Sequence, residues 1–387
     1  MKKISRRNFC SQLLKTGFQA SFVYLSAPVW GNAMMNPPNQ KPMMGRGKDG
    51  LDLNAMIRPV PESAVMKMDD WYVWGGTVVK SSDGIYHLLF SRWPKKLGME
   101  GWVTHSEIAR ATSESPIGPF TFQDVALPPR GSQYWDGEVT HNPTVQRFGD
   151  KYYLYYNGNR EFDGKVESKE KKYDKWWRHR NNQRVGLAVA DHPAGPWKRF
   201  DKPLLEVGPW DWNGLITTNP SITKRPDGKY LLTYKTVATA PEKDMPFGGK
   251  VTHGVAFSDN PMGPFKKHPE PVFTHPTAKF PAEDPYIFFL DGYYWGILKD
   301  MEGFFIDLDT QQLVLFQSKD GIDWKLADHP LVTKPRIPWE NGQAETVSRL
   351  ERPQLLIEDG RPVVLYVGIL PREGKSYNVH IPLQKIK

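Results

Sequence analysis

Pro143-Thr144-Val145-Gln146-Arg147-Phe148-Gly149-Asp150-Lys151-Tyr152-Tyr153-Leu154-Tyr155-Tyr156 sets an apolar-rich run on either side of a Gly-Asp turn, the local pattern of a β-hairpin. The pattern recurs as Asp83-Gly84-Ile85-Tyr86, Asp227-Gly228-Lys229-Tyr230, Asp291-Gly292-Tyr293-Tyr294 and Asp359-Gly360-Arg361-Pro362. With Gly84, Asp150, Gly228, Gly292 and Gly360 as markers, the spacings are 66, 78, 64 and 68 residues, so five similar modules follow one another. Most periods carry a second turn, Gly118-Pro119-Phe120, Gly195-Pro196-Trp197 or Gly263-Pro264-Phe265, with Gly321-Ile322-Asp323-Trp324 as a variant. Two hairpins make a four-stranded antiparallel blade. One blade cannot bury both faces, whereas five arranged radially pack face against face and leave only short protected edges. The expected fold is therefore all-β, a five-bladed β-propeller. The fifth period ends after one more strand, Tyr377 to Pro382, so a strand from residues 51 to 62 is expected to complete the last blade and close the ring.

The composition agrees: 33 Gly, 34 Pro and 13% aromatics in 387 residues favour turns and strands. No apolar run reaches the ~18 residues of a membrane span, which excludes a polytopic membrane protein. The net charge of +8 is unevenly placed: Lys2, Lys3, Arg6, Arg7 and Lys15 stand in the first 33 residues without an acid, leaving +3 for the rest. That balance gives no footprint for nucleic acid. Ser5-Arg6-Arg7-Asn8-Phe9, an apolar run from Gly17 to Trp30, and Gly31-Asn32-Ala33 have the layout of a twin-arginine export signal. The expected organisation is a signal over 1–33, a linker over 34–50 and one propeller over 51–387, in a periplasmic or secreted protein. The single cysteine, Cys10, falls in the signal, so thiol nucleophiles and thiolate metal sites are excluded from the mature chain.

Aligned on their turns, the repeats place Asn142, Asn219, Asp284 and Arg352 before the inner-strand proline in repeats two to five. Gly76 takes that place in repeat one, where Thr77 replaces the proline. One position earlier stand Gly75, His141, Thr218, Glu283 and Glu351. Asn-Pro and Asp-Pro also start turns, but a ring of carboxylates, amides, an imidazole and a guanidinium at one mouth is foreign to a core and suits a polar ligand. Trp71, Trp74, Trp93, Trp135 and Trp212 at the same end suggest a sugar, whose C–H faces stack on flat rings.

Trp74-Gly75-Gly76-Thr77, Tyr86-His87-Leu88, Ser91-Arg92-Trp93-Pro94, Glu283-Asp284-Pro285 and Glu351-Arg352-Pro353-Gln354 together resemble the five-bladed propeller glycosidases, glycoside hydrolase family 43 and relatives such as family 117, as a divergent branch. The resemblance implies an Asp base on blade one, a pKa-tuning Asp on blade three and a Glu acid on blade four. Glu283 matches the acid, whereas the base position is Gly76 and the tuning position Asn219. A second carboxyl group is then required; the candidates are Asp70, which is favoured, then Asp136, with Asp284 and Glu351. Trp74, Arg92, His141, Asn142, Asn219, Asp284, Arg352 and Trp135 are the expected substrate contacts. Glu283 and Asp284 are adjacent, so on a regular strand only one faces the channel. If a bulge brings both in, repulsion raises one pKa.

The expected function is glycoside hydrolysis, exo-acting on oligosaccharides of a complex or anionic polysaccharide. The alternatives are a glycoside phosphorylase, with Arg352, Arg92 and His141 holding phosphate, and a non-catalytic glycan-binding propeller. Residues 165–184, with eight basic and three acidic side chains beside Trp176 and Trp177, form either a solvated insertion or a rim that attracts an anionic glycan. The ten histidines show no metal-ligand spacing and no glycine-rich phosphate loop is present, so no cofactor is expected. The resemblance does allow a structural calcium or sodium ion in the central channel. The oligomeric state stays open.

Overall fold

Each period folds as two hairpins, and the computed structural model describes them within residues 50–162, 174–240, 248–308 and 310–385. The segments expected as signal and linker, up to residue 49, lie outside the described residues, as do Lys165, Lys169, Lys171 and Lys172 of the basic stretch. Strand β1 (Val65–Met66) belongs to the last blade. Blade 1 is β2 (Trp71–Lys80), β3 (Tyr86–Pro94), β4 (Glu107–Ser113) and β5 (Thr121–Leu127); blade 2 is β6 (Val139–Phe148), β7 (Lys151–Asn159), β8 (Arg184–Ala190) and β9 (Lys198–Arg199). Blade 3 is β10 (Ile216–Lys224), β11 (Tyr230–Val237), β12 (Val251–Ser258) and β13 (Lys266–Lys267). Blade 4 is β14 (Ala282–Leu290), β15 (Tyr293–Asp300), β16 (Gln312–Ser318) and β17 (Lys325–Thr333). A small hairpin, β18 (Arg336–Pro338) with β19 (Ala344–Thr346), precedes blade 5, which is β20 (Arg349–Glu358), β21 (Arg361–Leu370), β22 (Tyr377–Pro382) and β1. Among the described residues no helix is long and apolar enough to cross a membrane.

The turns behave as their residues require. Asp291-Gly292 and Asp359-Gly360 have positive φ at both central positions, the hairpin turn whose twist matches the strands it joins. The Gly-Pro-aromatic steps fall between the third and fourth strands of blades 1 to 3. Apolar clusters fill all five seams: Leu89, Val145 and Leu154 between blades 1 and 2; Tyr155, Ile222 and Leu232 between 2 and 3; Leu231, Ile287 and Phe316 between 3 and 4; Phe288, Leu315 and Leu365 between 4 and 5; Leu88, Phe90 and Val364 between 5 and 1. These alternate inward positions supply the non-directional drive that closes the ring.

The ring is closed by an N-terminal strand, but at Val65–Met66, paired antiparallel with Val379 and Asn378, and not within 51–62. Two local features divert the earlier segment. Asp52 accepts from the Ala55 N–H at 2.9 Å and caps a helical turn, α1 (Leu53–Met56), while Pro59 and Pro61 cannot donate to a ladder. Val60 makes only an isolated parallel bridge to Trp339. Two further short helices follow strands on the ring's mouth side: α2 (Trp102–His105), after a 3₁₀ turn over Met99–Gly101, and α3 (Asp174–Asn181).

The closing seam also carries a pH signature. His380 is fully buried between Phe120 and Tyr366, with Nδ1 on the Ile117 carbonyl at 2.9 Å, and burial pushes its pKa down to about 4 from 6.5. Between those values the unfolded chain takes a proton that the folded one refuses, so this contribution to stability is complete above pH 6.5 and falls as pH drops towards 4. Urea unfolding at pH 7 and pH 5 should show the loss, and His380→Leu should flatten it by about 2 kcal/mol.

Candidate active site

Every inner strand is interrupted at one shared level, between Trp74 and Thr77, His141 and Thr144, Thr218 and Ser221, Glu283 and Tyr286, and Glu351 and Gln354; β20 has a second shift between Leu356 and Ile357. The first residue of each bulge is left-handed: Gly75, Asn142, Asn219, Asp284 and Arg352, with φ from 50° to 58°. This corrects the alignment of repeat one. Gly75, not Gly76, is the sister of Asn142, Gly76 occupies the proline's place, and Trp74 is the sister of His141 and Glu283. The bulge re-aims two successive side chains towards the axis, which a regular strand forbids.

The left-handed residues form a chain of hydrogen bonds around the axis. Asn142 Nδ2 donates to Asn219 Oδ1 at 2.8 Å, Asn219 Nδ2 donates to Asp284 Oδ1 at 2.5 Å, and Arg352 Nη1 donates to the same oxygen at 3.3 Å. Asn157 Nδ2 and Thr218 Oγ1 also donate to Asn219 Oδ1, at 2.8 and 3.0 Å, which fixes that amide's orientation. Below this level Gln354 Nε2 reaches across the channel to Thr144 Oγ1 at 3.2 Å and plugs it.

One position earlier, the second strand of each blade serves the next. Asn157, Lys235 and Lys299 are the cross-strand partners of His141, Thr218 and Glu283. Asn157 Oδ1 accepts the Asn219 N–H at 2.7 Å, Lys235 Nζ donates to Glu283, and Lys299 Nζ donates to Glu351 at 2.5 Å. His141 is buried, stacked on Trp102 at 4.8 Å and bonded through Nδ1 to Ser106 Oγ at 2.7 Å. Burial and then the charges of Arg352 and Lys235 hold it far below the usual imidazole range, hence neutral.

The carboxyl groups of this mouth are divided by their surroundings. Burial alone would raise Glu283, but Lys235 and then Lys299 outweigh it and hold the group at about 2. Asp284 goes the other way, up to about 6, because burial dominates and Glu283 adds to it while Arg352 opposes. Both members of the pair reach the site, and Asp284 is raised, but chiefly by burial and only secondarily by the expected repulsion from Glu283. A third carboxyl, Glu100 in the loop after β3, is raised by burial and by Glu351 against Arg349 and Arg180. Its carbonyl accepts from Trp176 Nε1 at 3.3 Å, so α3 leans on its loop. Arg180 of α3 is buried, and the carboxylates that act on it are Glu283 and Glu100. In the described part of the basic stretch Arg180 is thus buried towards the mouth, while Lys175 is exposed and pairs, with Arg178, to Glu161.

Glu283, Asp284, Glu351, His141, Asn142, Asn219, Arg352 and Trp74 share this level. Other expected residues do not. Asp136 is completely buried behind blade 2, bonded to Arg130 and to the Tyr156 hydroxyl at 2.6 Å, with Arg199 Nη1 3.6 Å away. Trp135 lies flat against Gly158 and Gly186 beside it and donates Nε1 to the Phe200 carbonyl, a packing role. Arg92 is clamped on Glu107 at 2.8 Å between Trp71 and Phe122. Asp70 is exposed on a groove between blades 5 and 1 lined by Lys67, Trp71 and Phe122, away from the axial cluster. Trp93 is core, donating to the Gly98 carbonyl, and Trp212 pairs with Trp210. Sequence reasoning missed Glu100, Lys235 and Lys299. The lysines were within its reach, since a charged residue within β11, and one ending the apolar run of β15, are themselves signals.

A channel cation does not suit this donor set, because a guanidinium and two ammonium groups face the axial level and present donors only. Among the described residues, Asp83, His87 and His192 cluster at the far end of β2. There both His87 nitrogens are engaged, by Arg110 Nη1 at 3.3 Å and Ser81 Oγ at 3.2 Å.

Solved structures resemble the chain throughout its propeller. Zg3597, a family 117 glycoside hydrolase of the marine bacterium Zobellia galactanivorans, superposes with a TM-score of 0.55 at 18% identity over 81% of this chain and 86% of its own. A thermostable family 43 glycoside hydrolase gives 0.57 at 15% identity over 84% and 91%. The fold is that of the family 43 and family 117 glycoside hydrolases. BT0996, solved as an RGII complex, shares this glycoside hydrolase-type propeller, with a TM-score of 0.60 at 17% identity over 82% and 89%. No family model and no curated protein matches the chain. At such identity the likeness carries the propeller and leaves the residues to be argued from their own surroundings.

Proposed function

We propose that the protein hydrolyses a glycosidic bond at the mouth of its channel, with Glu283 as the ionised carboxylate and Glu100 as the proton donor. The observation that carries this is the division of the carboxyl groups. Glu283 on blade 4 is held low by Lys235 and Lys299, and Glu100, from the loop after β3 of blade 1, is raised by burial and by Glu351. Two carboxyls pushed apart in pKa on either side of one opening are the requirement of acid and base in glycoside hydrolysis. Glu283 as acid, the role implied by resemblance, is revised: its lysine partners stabilise the state that accepts a proton. Asp284, anchored to Asn219 and Arg352, shapes the floor beneath it.

Glu100 also answers the question left by Gly75. At the left-handed position blade 1 has no side chain, and its carboxyl group comes from the loop after β3, where Glu351, Arg349 and Arg180 act on it. The contact of α3 with that loop closes one side, which supports an exo mode on chain ends. A phosphorylase loses one of its three proposed phosphate ligands, since Arg92 is occupied by Glu107. Incubation with a panel of plant and marine oligosaccharides, products resolved by chromatography, should give release of terminal sugars without added phosphate. Binding with no product after long incubation favours the non-catalytic propeller. Turnover that needs phosphate favours the phosphorylase.

A substitution at the axial glycines provides a separate check on the geometry. A Cβ at Gly76 would stand 2.7 Å from Asn378 Nδ2 and from Leu88 Cδ1. Gly76→Ala should therefore cost about 1–3 kcal/mol through overpacking, read from urea unfolding.

A further inference from the structure

Resting on the reading that the mouth binds a sugar, we propose that the sugar is an acid whose carboxylate is held on the Nε–Nη2 edge of Arg352. This guanidinium is 2% exposed, and its Nη1 is spent on Asp284. Nε and Nη2 are buried and meet no protein acceptor. Those two N–H groups lie side by side and form the edge that matches both oxygens of a carboxylate, which is why arginine, and not lysine, recognises planar anions.

Three features show that the edge is built to be met. Arg352 holds φ 56°, a left-handed conformation that costs a long side chain energy and persists only where its surroundings impose it; its sisters are Gly, Asn, Asn and Asp, which adopt it readily. Gly75 places no side chain beside the two groups: a Cβ there would already touch both, at 3.4 Å from Arg352 Cγ and 3.4 Å from Asn142 Oδ1, and anything longer would extend past that contact. Asn142 has its Nδ2 bound to Asn219, so its buried Oδ1, also without a protein partner, is left as an acceptor. A carboxylate for the fork and a hydroxyl proton for Asn142 Oδ1 are what a uronic acid offers on neighbouring carbons. A neutral sugar would satisfy the amide and leave the two buried N–H groups of the guanidinium edge without a planar anion to span them.

Calorimetric titration of the full chain with D-glucuronate and D-galacturonate, against D-glucose and D-galactose, tests this. At least one uronate should bind about tenfold more tightly than its neutral parent, a difference of the size a charge-assisted pair confers. Arg352→Lys keeps a cation opposite Asp284 but loses the fork, and should erase the preference. Arg352→Gln should do the same where thermal melts show that it folds. Equal binding of acid and parent overturns the proposal, as does a preference that survives Arg352→Lys. Inorganic phosphate is titrated alongside; phosphate binding that depends on Arg352 while neither uronate binds assigns the edge to a free oxyanion and overturns it too. The heat is read without turnover, so failure to cleave any oligosaccharide would sink the hydrolase reading and leave this one standing.

Discussion

Glu283→Gln lowers kcat on a cleaved oligosaccharide by about 10²–10⁴-fold, the range by which a positioned base contributes, with KM changed little. The amide keeps the shape and loses the charge that Lys235 and Lys299 maintain, so water entering the mouth has no acceptor for its proton. The leaving group tells base from acid. If Glu283 is the base, an aryl glycoside with an activated phenolate suffers as much as a natural linkage, because attack by water is impaired for both. Glu100→Gln shows the opposite pattern: natural linkages are lost by a similar factor while the activated aryl glycoside is largely spared, since its leaving group needs no proton. Exchange of the two patterns would return the acid role to Glu283 and refute the assignment by charge environment.

Asp136→Ala lowers stability by about 3–5 kcal/mol, the cost of removing one partner from a buried ionic cluster. The substitution removes the fully buried carboxylate that bonds Arg130 and the Tyr156 hydroxyl and lies 3.6 Å from Arg199 Nη1. Urea unfolding measures the loss, and kcat of the folded protein is expected to stay within a fewfold of its original value. The reverse result, full stability with activity lost, would put Asp136 back among the catalytic carboxylates.

These two residues mark where the amino-acid order is informative about the site. Asp136 in Trp135-Asp136-Gly137-Glu138 and Glu100 in Met99-Glu100-Gly101 look alike along the chain, each a carboxylate in a glycine-bearing loop beside a blade. Nothing local distinguishes one that meets two arginines at the back of blade 2 from one that meets Glu351 and Arg180 over the axis. The pair Glu283-Asp284 was legible in kind, because adjacency on a strand next to proline poses a definite question. Its answer needed the bulge. The misplacement of the closing strand has a similar cause: a two-residue strand carries too little pattern to be seen against a longer apolar segment.

By itself the order of residues determined the period, the two hairpins in each module, the number of blades and the four polar positions before the prolines, since turn chemistry and alternation act over a few residues and repeat with them. Only the tertiary structure decided which carboxyl groups are ionised, which arginine edge is left open and that Gly75 makes room for it. Those properties depend on charges and burial that meet only in the folded ring, where Lys235 comes from 48 residues before Glu283 and Arg352 from 68 residues after Asp284.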